Sequence, residues 1–136
     1  MLTASLPFPP SMNHYWRHFR GRTVISQGGR TFRANVCALL AGAGGNGPRK
    51  PPCGGRIALA MDAFPPDRRR RDVDNLLKPT LDSLQHAGAY LDDSQVELLL
   101  ARRREVVPGG RVDVRIEEFP LTTCPLCGAS FSPEDN

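Results

Sequence analysis

The sequence predicts an α+β fold, one small domain in which a mixed β-sheet carries two main helices. Three observations predict it. A chain of 136 residues is long enough to bury a real core but too short for two ordinary domains. Period-two apolar stretches fall near residues 2–6, 56–62, 95–106 and 111–117, and between them lie two stretches with helical apolar spacing, near 29–40 and 72–88.

In chain order, residues 2–6 form a short apolar segment closed by Pro7, Pro9 and Pro10, which suits a first or edge strand. Residues 11–22 interleave aromatic and basic side chains, including Tyr15, Trp16, Arg17, Phe19, Arg20 and Arg22. Two readings stand for them: a loop whose rings cover one end of the core, or a surface on which guanidinium groups meet phosphates and a ring stacks on a base. Thr23, Val24 and Ile25 suit a short strand, and Ser26 suits the cap of a helix whose stripe is Phe32, Val36, Leu39 and Leu40. Cys37, within that helix, is expected as a small buried filler.

Residues 41–55 are dominated by glycine and proline and have almost no apolar bulk, so a mobile surface loop is expected. Residues 56–62 alternate as a central strand, which Pro65 and Pro66 end. Leu76, Leu77, Leu81 and Leu84 mark the second helix, beginning near Asp72 to Asp74 and ending at Gly88. A start at Val73 would leave Pro79 past the first turn, where it predicts a kink. After a turn-rich connection at 89–95, Val96, Leu98 and Leu100 alternate against Glu97 and Leu99. Val112, Val114 and Ile116 then alternate beyond the turn at Pro108-Gly109-Gly110, and the two runs are expected to pair as a hairpin with one buried face. Beyond Pro120 the tail offers little to pack.

The formal net charge is +4 and the pI about 9.2, a balance that suits an acidic partner. All the basic residues except Lys50 and Lys78 are arginines, the side chain suited to bidentate phosphate contacts. The tail after Pro120 has no Lys or Arg, so the body is basic and the tail is not. No apolar run approaches the ~20 residues of a membrane span, and the first residues lack the basic start and long apolar region of a secretory signal. A cytoplasmic protein with reduced thiols is expected.

The chemistry concentrates in Arg68-Arg69-Arg70-Arg71-Asp72-Val73-Asp74-Asn75-Leu76-Leu77-Lys78. A run of like charges beside an acidic pair is useful where a polyanion must be held next to a metal ion. Asp72 and Asp74 fall at a helix start, and Asp93 follows after the helix, where the chain turns back. Three hard oxygen ligands on a basic background describe a magnesium site for phosphodiester cleavage, with Lys78 positioned to neutralise phosphate charge or orient water. The plainer alternative makes Asp72 a cap, Asp93 a turn residue and Lys78 a solvated partner of Asp74.

That string, followed by Leu91-Asp92-Asp93-Ser94-Gln95-Val96, resembles the signature of the RusA family of Holliday junction resolvases. So do Leu6-Pro7-Phe8-Pro9-Pro10-Ser11-Met12-Asn13 and Gly109-Gly110-Arg111. The resemblance spans residues 2–119, so 1–120 is expected as a RusA-like nuclease domain and 121–136 as a tail. It implies a homodimeric, bacterial or phage-encoded endonuclease that nicks four-way DNA junctions in pairs, in recombination and repair. It implies a magnesium requirement, with manganese as the alternative ion. By position in the motif, Asp72, Asp74 and Asp93 match the family's metal-binding aspartates and Lys78 its catalytic lysine. Arg71 matches a basic residue taken as a phosphate contact, and Asn75 lies in the motif without a defined role. Arg68, Arg69, Arg70, Arg17, Arg20 and Arg22 are the further DNA-contact candidates. Two other readings are a nuclease for flaps or forks and a non-catalytic junction-binding module; competent residues at every proposed catalytic position argue against the latter.

Two features depart from the family pattern. Residues 41–55 form a longer loop than a minimal member needs, and the tail carries Cys124-Pro125-Leu126-Cys127-Gly128. That CPxCG shape is one knuckle of a zinc ribbon, supplying two of four ligands, with a second subunit, Cys53 or a histidine as sources of the rest. A flexible tail with two thiols is the plainer reading.

Overall fold

The computed structural model describes residues 2–42 and 54–130. Most of the 41–55 segment, including Cys53, lies outside them. Six strands and three helices are ordered as β1 (Leu2–Leu6), α1 (Met12–Tyr15), β2 (Trp16–Phe19), β3 (Arg22–Ile25), α2 (Gln27–Gly42), β4 (Ile57–Phe64), α3 (Leu77–His86), β5 (Val96–Arg103) and β6 (Arg111–Glu118). Short 3-10 turns at Val73–Leu76 and Asp93–Gln95 flank α3. The main sheet runs β1-β6-β4-β5, and β2 and β3 form a separate ribbon. The α+β class with a mixed sheet and two main helices, α2 and α3, is as the sequence predicts.

The strand pairing differs from the expected hairpin. β5 and β6 do not pair; they flank β4, β5 parallel to it and β6 antiparallel. Residues 104–110 therefore cross the end of β4, with Arg104 N–H donating to the Ala63 carbonyl (2.8 Å) and Val107 N–H to that of Pro65 (3.0 Å). The expected single buried face of β5 also fails, because a bulge between Ile57 and Ala58 shifts the register. One extra residue in a ladder reverses the faces of everything after it. Val96 and Ala101 pack on the core, while Leu98 and Leu99 stay exposed on this edge strand.

One sheet face carries the core. Leu6, Leu59, Met61, Ala63, Val112, Val114 and Ile116 meet Phe32, Val36 and Leu40 of α2 and Leu84 of α3. Leu39, at the edge of the predicted stripe, is exposed, and Cys37 is half-buried rather than the buried filler expected. Ser26 caps α2 as predicted, its hydroxyl accepting the Gly29 N–H at 3.0 Å.

Tyr15 is fully buried, not a ring on a loop. Its hydroxyl donates to Asp82 of α3 (2.5 Å), which also binds Arg33 of α2 (2.7 Å), so one carboxylate ties three helices together. Burial pushes the Asp82 carboxyl up, and the Tyr15 hydroxyl and Arg33 guanidinium more than reverse that, leaving it below its usual value. Burial and the Asp82 hydrogen bond raise Tyr15.

The helix after the motif also starts later than expected. Leu77 N–H bonds back to the Asp74 carbonyl within the 3-10 turn, and α3 begins only at Leu77. Pro79 thus occupies the first α-helical turn, where a backbone N–H has no intrahelical partner, and the expected kink has no cause. No helix among the described residues is long and apolar enough to cross a membrane.

Candidate active site and nucleic-acid interface

The arginine run leaves the end of β4 as a shaped loop. Asp67 sets the shape: its Oδ1 accepts the Arg69 N–H at 2.9 Å and the Arg71 guanidinium at 2.6 Å. The Arg71 hydrogen bond and then the Arg69 N–H hold the Asp67 carboxyl at a pKa of about 2. Arg71 also lies over the Phe8 ring, 5.4 Å from its centroid, and its carbonyl accepts the Arg103 guanidinium. Arg71 is therefore fastened, whereas Arg68, Arg69 and Arg70 are exposed.

Asp72 follows in extended conformation at the start of the 3-10 turn, and its side chain makes no capping bond. Asp74 is exposed within the turn. Neither carboxylate has a hydrogen bond or ion pair among the described residues, although four arginines precede them. The capping role open to Asp72 is not the one it plays. Asp72 and Asn75 line a cleft of about 580 Å³ together with Arg69, Arg70, Arg71 and, opposite, the Phe8 to Ser11 segment and His14.

The second acidic pair divides its labour. Asp92 is a cap: it accepts the Ser94 N–H at 2.8 Å, and Gln95 Oε1 accepts the Asp92 N–H at 3.0 Å. Those Ser94 hydrogen bonds lower its pKa. Asp and Gln three residues apart are the sequence signature of a capping box, and that signal distinguishes Asp92 from Asp93. Asp93 instead faces Lys78, 3.4 Å from its Nζ, so Lys78 pairs with Asp93 and not with Asp74. The Tyr90 hydroxyl lies 3.0 Å from Asp93 Oδ1 and 2.6 Å from the Leu81 carbonyl, and its proton serves either acceptor. Burial, then the Asp93 charge, push the Tyr90 hydroxyl far up, so it stays a donor. No periodicity or motif in the sequence pointed to Tyr90.

Lys78 and Asp93 are thus brought together, and the 3-10 turn bearing Asp74 packs directly before the helix that bears Lys78. Among the described residues no three His, Cys, Asp or Glu side chains converge at metal-ligand range, so Asp72, Asp74 and Asp93 do not form a closed cage, and of the three only Asp72 lines the cleft. Of the three, Asp93 alone has a protein cation as partner, Lys78.

Arg17, Arg20 and Arg22 lie on the exposed β2–β3 ribbon, with Arg17 and Arg20 over the Phe19 ring at 5.3 and 5.2 Å. This segment is a ribbon where the sequence suggested a loop. A second cleft, of about 460 Å³, opens on the other sheet face around Asp62, Arg102, Asp113 and Arg115 and contains no motif residue. Its charges are all paired, Asp62 holding Arg102 through two bonds of 2.8 and 2.9 Å, Asp113 pairing with Arg111 and Arg115 with Glu117. Cys124 and Cys127 belong to the tail, whose Pro125 lines this cleft.

The sequence profile described as "Endodeoxyribonuclease RusA" matches residues 7–117. A protein of Enterobacteria phage 82 named "Crossover junction endodeoxyribonuclease rusA" is 44% identical over 115 residues, which span 85% of this chain and 92% of the relative. Proteins named "Crossover junction endodeoxyribonuclease RusA" from Escherichia coli K12 and Shigella sonnei Ss046 are 43% and 44% identical over the same length and shares. With a profile match across the arginine loop, both acidic pairs and β6, and identity at this level over most of its length, the chain belongs to the RusA endodeoxyribonuclease family.

Proposed function

We propose that this chain is a structure-specific endonuclease that resolves four-way DNA junctions by paired nicking, acting as a homodimer. The observation that carries the reading is the charge left unspent beside the arginine loop. Arg71 satisfies Asp67, and Asp72 and Asp74 keep no protein cation among the described residues. Carboxylates without partners next to exposed guanidinium groups suit a divalent cation and a phosphate more than they suit stability.

The donor set fits a hard cation: carboxylate oxygens only, from Asp72, Asp74 and Asp93, on a basic background. Magnesium or manganese bound there would supply Lewis acidity at the scissile phosphate. The protein does the rest. Arg68, Arg69 and Arg70 hold the backbone of the junction arm against the cleft, and the Arg17, Arg20 and Arg22 ribbon extends the basic surface. Lys78 is held by Asp93, and Tyr90 holds Asp93 in turn, which keeps the ammonium beside the turn that bears Asp74. There its charge would offset the negative charge that builds on the phosphoryl oxygens during attack. Two equivalent sites suit a junction that is close to two-fold symmetric, because nicks in strands of like polarity leave ends that can be sealed.

The decisive assay compares cleavage of four-way, three-way, flap and linear duplex DNA with and without a chelator. Magnesium-dependent, paired cuts in the four-way junction are expected. Equal or better cutting of flaps or forks would replace this reading with that of a general branch nuclease. For the basic surface, neutralising Arg68, Arg69 and Arg70 together is expected to reduce the salt slope of junction binding by about 2 to 3, roughly one unit per lost phosphate contact. An unchanged slope would remove the three arginines from the interface.

A further inference from the structure

Residues 121–130 lie beyond the residues matched to the family and fold onto the body. Leu121 is buried, and Pro125 packs beside Leu100 and Arg115 on the open sheet face. Between them the chain closes on itself: Cys124 N–H donates to the Ala129 carbonyl (2.7 Å), Gly128 N–H donates to the Cys124 carbonyl (2.8 Å), and Thr123 bridges Ser130. Gly128 turns the chain at a φ of +74°, which a side chain would resist. This closed turn carries both cysteines three residues apart, Cys124 half-buried and Cys127 exposed. A Cys-Pro-x-Cys-Gly turn closed by its own backbone has the shape of one knuckle of a tetrahedral thiolate metal site.

Two sulfurs leave a zinc ion short of ligands. Among the described residues no third His, Cys, Asp or Glu converges on them, and Cys127 is exposed, so the open side of the pair faces outward. We propose that Cys124 and Cys127 form half of a tetrathiolate zinc site that the same two residues of a second copy of this chain complete, with the ion on the two-fold axis. An isologous contact supplies a second, identical knuckle by symmetry, and four sulfurs close a structural site with no position left for water. The ion would clasp the two tails while the cleft around Asp72 stays free. Binding displaces one proton from each of the four thiols to solvent, so loading weakens as the pH falls. The proposal shares with the proposed function only the homodimer, and it needs no cleavage.

The test is zinc content and native mass of the full-length protein purified with zinc present. About one zinc per two chains, in a species of dimer mass, is expected. Cys124→Ser and Cys127→Ser should each abolish it without changing the thermal unfolding of the body, and Cys53→Ser should retain it. Loading with cobalt instead gives a visible spectrum that reports the sulfurs bound, and the spectrum of four thiolates is expected. No zinc, one zinc per chain, loss of zinc in Cys53→Ser, or a cobalt spectrum of only two thiolates would overturn the shared site. A protein that binds zinc in this ratio yet cuts no junction leaves the inference standing and removes the nuclease reading; cutting without zinc does the reverse.

Discussion

Asp74→Asn is expected to lower the cleavage rate on a four-way junction by at least about a thousandfold while leaving junction affinity within about threefold. The substitution keeps the size of the side chain and removes its charge. Asp74 is exposed and makes no side-chain bond among the described residues, so the fold loses nothing by the change. The arginines that hold DNA are untouched, and losing a negative charge beside them favours binding slightly. Single-turnover cleavage and equilibrium binding at one salt concentration, measured on the same preparation, separate the two effects. Undiminished cleavage would take this carboxylate out of the reacting centre, and a parallel loss of binding would make it a structural residue.

Gly110→Ala is expected to destabilise the protein by about 2 kcal/mol or more, and Gly109→Ala by only about 1 kcal/mol. Both glycines have positive φ, +79° at Gly109 and +67° at Gly110, so both substitutions incur the left-handed strain. Only at Gly110 does space run out. An added Cβ would sit 2.9 Å from Pro66 Cδ and 3.0 Å from both Phe8 Cβ and the Pro66 nitrogen, whereas nothing lies within 4 Å at Gly109. A proline ring and a backbone nitrogen cannot swing aside. Because Phe8 also lies under Arg71, the clash is expected to loosen the arginine loop and reduce cleavage as well as stability. Urea unfolding of both variants decides it, and equal losses would show that strain alone matters at this turn.

Much of this was legible from the residues. Apolar patterning located β1, β3, β4, β5 and β6 and helical spacing located α2 and α3, because those periods follow from local geometry, whereas β2 was read as part of a loop. Pairing was not legible. Pro108-Gly109-Gly110 looks like a hairpin turn, and only the placement of β4 between β5 and β6 shows that it spans another strand. The bulge at Ile57, which reversed the faces of β5, leaves no local mark in composition. The network of Tyr15, Arg33 and Asp82 joins residues from three separate helices, and no short window contains it. In the site, the motif named Asp72, Asp74, Asp93 and Lys78, but the partners came from the fold. Asp67 claims Arg71, Asp93 claims Lys78, and Tyr90 supports Asp93, each by side-chain direction that spacing does not encode.

The parallel pairing of β4 with β5 has one more consequence. Every acidic residue of the proposed centre, and Lys78 with them, lies on the crossover between those two strands. A parallel pair closes only after its whole connection is in place, and such non-local contacts form late. The β2–β3 ribbon, with its arginines, needs only a tight local turn. The ribbon arginines therefore rest on short-range pairing and the carboxylates of the proposed centre on long-range closure, so anything that loosens the β4–β5 pair is expected to disturb the centre before the ribbon.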